Sequence, residues 1–118
     1  MDIYPTLVEL CSLPKQKSCE GESMVNLLKN PESPGPETAI SFTTNWGPSS
    51  RSNKAYAVSL RTDRYRYVEW RSEFEAGKII HRELYDHSVD SGEINNLAKS
   101  KGELAATLQD ILDKRRSK

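Results

Sequence analysis

Three carboxylates crowd one short stretch of the chain: Asp86, Asp90 and Glu93. Carboxylate oxygens are the ligands that a hard cation such as calcium takes. The order Asp86-x-x-x-Asp90-x-x-Glu93 does not fit an EF-hand loop. Turn and cap roles suit it better, because Asp side chains bond nearby backbone and Gly92 can take positive φ. His81 and His87 fall on an expected strand and an expected turn, without a shared helical face. Surface or hydrogen-bonded roles fit them better than metal ligation. Ser41 and Ser59 lie in expected strands with no base at hand, and there is no Gly-rich phosphate loop. Cys11 and Cys19 allow two readings: a disulfide across a Pro-containing turn, or a small buried hydrophobe on a helix plus a loop thiol. Their spacing is not a metal signature.

The run Arg61 to Trp70 interleaves basic and aromatic residues, a pattern that can stack bases and neutralise phosphate. Asp63, Glu69 and Glu73 nearby favour a strand with ion-paired arginines instead. The whole chain agrees: among 118 residues, 17 basic and 17 acidic side chains give a formal net charge of zero. That balance gives no electrostatic reason to expect nucleic acid or an anionic membrane as partner. No apolar run approaches the roughly 20 residues that span a bilayer. Met1 to Pro5 lacks the basic and apolar regions of a signal peptide. A mean hydropathy of -0.71 implies a small core, a polar surface or a missing partner surface.

The elements that must position these residues can be read from pattern. Asp2 is a candidate cap for a helix carrying Ile3, Leu7 and Leu10 on one face, which stops before Pro14. Ser23 is a candidate cap for a brief helix with Met24, Leu27 and Leu28. Asn30 to Pro36 holds three prolines and reads as a linker. Strands are expected over Thr38–Thr44, Ala55–Leu60, Tyr65–Trp70 and Ile79–Tyr85. Their connections are a polar loop from Asn45 to Lys54, a tight turn at Thr62 to Arg64, and a charged hairpin loop around Gly77. Short connections favour an antiparallel meander. Ser100 and Glu103 have capping-box spacing, and Leu104, Leu108, Ile111 and Leu112 form a helical stripe. The fold expected is α+β: a small four-stranded antiparallel sheet with the C-terminal helix packed on one face, plus a short N-terminal helix. Residues 1–36 form a helix-and-linker segment and 37–118 the sheet-plus-helix part.

Four stretches, in order, resemble the C-terminal end of sulfatases, members of the alkaline-phosphatase-like superfamily, nearest to the iduronate-2-sulfatase type. They are Asp2 to Pro14, Gly21 to Leu28, Tyr56 to Tyr67, and Glu83-Leu-Tyr-Asp86 followed by Asp90-Ser-Gly-Glu93 and Asn96-Leu-Ala98. The family usually has proline where Ser91 stands, and Ser is also a good turn former.

The resemblance implies that the chain is the C-terminal part of a larger fold, a non-catalytic portion of a sulfuric ester hydrolase. Sulfatases use a formylglycine made from a Cys/Ser-x-Pro-x-Arg motif and a divalent cation, usually calcium. Here Ser12-Leu-Pro14 has Gln16 where Arg belongs, and Trp46 stands at the nucleophile position before Pro48. No cofactor is therefore expected in this chain, while the parent enzyme would use both. In the family, the loop after the first strand can lie at the rim of the substrate cleft. Trp46 could stack on a sugar face there, and Asn45 and Arg51 could bond hydroxyl or sulfate oxygens. The implied partner is the catalytic N-terminal domain, with residues 1–36 at the junction, or a copy of the chain through its first helix. A sulfated carbohydrate would be the parent's substrate. The parent would be exported or lysosomal. Two alternatives stand beside this reading: a stand-alone interaction module derived from the fold, and the tail of a related phosphonate or phosphodiester hydrolase.

Overall fold

A computed structural model describes residues 2–15, 17–19, 21–44 and 55–116. The chain divides into two compact units, residues 1–36 and 37–118.

The first unit holds two short helices, α1 (Ile3–Leu10) and α2 (Val25–Lys29). Asp2 precedes α1 but does not cap it with its side chain. Its Oδ1 accepts the Glu22 N–H at 3.0 Å, tying the two helical segments together. Thr6 strengthens the tie, because its Oγ1 accepts the Met24 N–H at 2.9 Å. Pro14 does not set the end of α1. Ser12, at φ 53, turns the chain into the left-handed region, and Leu13 N–H reaches back to the Val8 carbonyl at 2.9 Å. That is a Schellman ending, made without the usual glycine. Helix α1 buries Pro5, Thr6 and Val8, while Ile3, Leu7 and Leu10 of its apolar stripe are 71%, 54% and 54% exposed. In α2, Met24 is the N-cap residue, and Ser23 Oγ accepts only the Val25 N–H at 3.3 Å. Val25 is buried, and Leu28 is exposed. Cys11 is exposed rather than buried, and it and Cys19 are free thiols.

The second unit is the expected meander. Strands β1 (Ala39–Thr44), β2 (Ala55–Arg61), β3 (Tyr65–Ser72) and β4 (Ile79–Asp86) lie in the order β1-β2-β3-β4, all antiparallel. Alternation sends Val58, Leu60, Tyr67 and Leu84 to one face, where cross-strand partners such as Leu60 and Tyr67 meet. Helix α3 (Gly102–Arg116) covers that face with Ala105, Leu108 and Leu112, while Leu104 and Ile111 pack at its margin. The capping box does not form: Ser100 Oγ turns back to the Leu97 carbonyl at 3.3 Å. The basic side chains Lys114, Arg115 and Arg116 sit in the last turn, where the helix dipole favours them. The β3–β4 hairpin is braced by Ser72 Oγ, which accepts the N–H groups of Phe74 and Glu75 at 3.2 Å each. Positive φ at Ala76 and Gly77 closes that turn. A register shift at Trp70/Arg71 leaves Ile80 as the extra residue of a bulge.

Candidate functional site

The meander has two ends. At one, the β2–β3 turn meets the stretch that follows β4. At the other, β1 ends at Thr44 and β2 begins at Ala55, which pairs with Ser72 at the base of the β3–β4 hairpin. Asn45, Trp46 and Arg51 fall between those two strands in the sequence and lie outside the described residues.

The three carboxylates that suggested calcium lie at the first end, and each is taken by the protein itself. Arg64 holds buried Asp86 with two parallel bonds, Nε to Oδ1 at 2.9 Å and Nη2 to Oδ2 at 2.7 Å. Ser88 donates its hydroxyl to the same Oδ1 at 2.6 Å. The Arg64 guanidinium first, and Ser88 next, hold the Asp86 carboxyl well below the usual carboxylate range. Asp90 accepts the N–H groups of Ile94 at 3.0 Å and Asn95 at 2.8 Å, which lower its pKa in the same order. Glu93 bridges two side chains: Arg66 Nη1 donates to it at 2.8 Å, and His87 Nε2 is hydrogen-bonded to it at 2.7 Å. Burial pushes the Glu93 carboxyl up, but the bonds from His87 and Arg66 outweigh that and hold it low. The positive φ expected at Gly92 falls instead on Glu93, at 55°. That conformation aims its carboxylate at Arg66 and His87.

A second polar network lies under α3. Glu69 is fully buried and takes two bonds from Arg71 (Nε at 2.8 Å and Nη2), plus the Tyr67 hydroxyl at 3.0 Å. Arg82 Nε donates to the Tyr67 oxygen at 3.2 Å, and its Nη2 donates to Gln109 on α3 at 3.1 Å. Burial first, and the Glu69 charge next, raise the Tyr67 pKa far above its ordinary value. These groups lock the helix to the sheet and offer no free acid or base.

Other candidates are equally committed. Ser59 Oγ accepts a bond from Arg66 Nε at 3.3 Å, and His81 is an exposed strand residue. A shallow depression beside β4 is lined by His81, Arg82, Asn96, Ala98 and Lys99. Its Asn96 side chain is spent on β4: Nδ2 donates to the Arg82 carbonyl at 3.0 Å, and Oδ1 accepts the Leu84 N–H at 3.1 Å. Among the described residues no group of three His, Cys, Asp or Glu side chains can hold a metal ion. Sequence reasoning missed the partners rather than the groups. Arg64 and Asp86 are 22 positions apart, and Arg66 and Glu93 are 27 apart. The available signal was an unusually dense run of arginines on one strand facing a turn rich in acids.

A four-stranded meander backed by one C-terminal helix is a fold that the chain shares with solved sulfatase structures. Residues 1–118 match the family model described as N-sulphoglucosamine sulphohydrolase, C-terminal, and the chain belongs to that family. It is 29% identical over 117 residues to arylsulfatase K of Gallus gallus, a match covering 95% of this chain and 21% of that protein. A proposed sulfatase of Bacteroides thetaiotaomicron superposes with a TM-score of 0.70 at 25% identity, over 96% of this chain and 23% of that one. BT4656, solved with its substrate D-glucosamine-2-N,6-O-disulfate, shares the fold with a TM-score of 0.66 at 19% identity, over 98% and 24% of the two chains. The chain spans about a fifth to a quarter of the length of these proteins.

Proposed function

We propose that this sulfatase C-terminal portion is non-catalytic and acts by supporting a preceding catalytic domain and shaping the rim of its substrate cleft. The observation that carries the reading is the fate of the acids: Asp86, Asp90 and Glu93 are each bonded within the module, so none is left to bind a cation or move a proton. The sequence also lacks a Cys/Ser-x-Pro-x-Arg motif. In this reading the formylglycine and the calcium ion belong to the catalytic domain, which residues 1–36 join to the sheet. The exposed stripe Ile3, Leu7 and Leu10 suits such a junction.

The substrate class proposed is a sulfated carbohydrate, by likeness to BT4656, and the subtype is the iduronate-2-sulfatase kind, by the four sequence stretches. Trp46 stacks on a sugar ring in this scheme, with Asn45 and Arg51 bonding hydroxyl or sulfate oxygens. A Trp46→Ala substitution in a complete protein carrying this module tests the rim role. KM for a sulfated oligosaccharide should rise several-fold with kcat little changed; identical kinetics would remove segment 45–54 from the cleft.

A further inference from the structure

We draw no further inference here: the strongest candidate, the shallow depression beside β4 where His81, Arg82 and Lys99 gather basic groups suited to an anion, carries nothing because its Asn96 is already spent on β4 and nothing in the structure shows what covers it.

Discussion

Arg64 and Asp86 form a two-pronged ion pair that ties the β2–β3 turn to the end of β4, with contacts at 2.9 Å and 2.7 Å. Three further contacts converge on the same carboxylate: the Ser88 hydroxyl, the Ser88 N–H at 3.1 Å and Lys101 Nζ at 4.0 Å. The pair thus fixes where the chain leaves the sheet for α3.

Acid should loosen this joint. The folded state holds the Asp86 carboxyl well below its ordinary value, chiefly through Arg64. Its contribution is therefore fully present above the unfolded carboxyl pKa of about 4 and is lost progressively as pH falls further. Asp90 and Glu93 shift in the same direction. Thermal melts should show a steep loss of stability below about pH 4. An Asp86→Asn variant should be less stable at neutral pH, with a shallower acid slope. A variant whose slope equals the wild type would detach the pair from acid stability.

Removing Glu69 tests the network under α3. Glu69→Ala leaves Arg71 and Tyr67 without their acceptor in a buried place. Breaking one side of a buried pair typically costs about 3–5 kcal/mol. Glu69→Gln keeps the shape and one acceptor oxygen, and should cost less. Urea unfolding of both variants checks the order, and equal losses would contradict the charged network.

Leu112 is fully buried between α3 and the sheet. A Leu112→Ala substitution should destabilise the second unit by about 2–5 kcal/mol. Exposed Leu28 offers the control, where Leu28→Ala should change little. Chemical denaturation of the two variants separates a packed interface from a surface apolar residue.

Asn96 should matter through the edge it covers. An Asn96→Ala change strips two bonds from β4 and leaves the Leu84 N–H without a side-chain acceptor. Hydrogen exchange at Leu84 should accelerate selectively, with a stability loss of about 1–3 kcal/mol. Unchanged exchange at Leu84 would mean that water replaces the amide without penalty.

Sequence pattern carried most of the fold, because strand alternation and the α3 stripe are period signals that burial enforces. Tyr67 and Leu84 are directly paired because the alternation leaves no other register that buries both. Local capping was less legible. Ser100 and Glu103 have the right spacing, yet α3 starts at Gly102, and the Ser100 hydroxyl finds the nearer Leu97 carbonyl. The apolar stripe of α1 was legible, but the burial of Thr6 was not: it comes from a bond to the α2 segment, a contact that hydrophobic periodicity cannot encode. In the candidate site, the acids were visible but their partners were not, since Arg66 on β3 and Glu93 beyond β4 meet only after the β3–β4 hairpin and the following turn have folded.

The most direct test of a non-catalytic role compares sulfate ester hydrolysis by the isolated 118-residue chain and by a complete protein that carries it, both with calcium present. The complete protein should turn over an aryl sulfate or a sulfated saccharide, and the isolated chain should release no sulfate above background. Sustained turnover by the isolated, folded chain would contradict the account and return Asp86, Asp90 and Glu93 to consideration as catalytic groups.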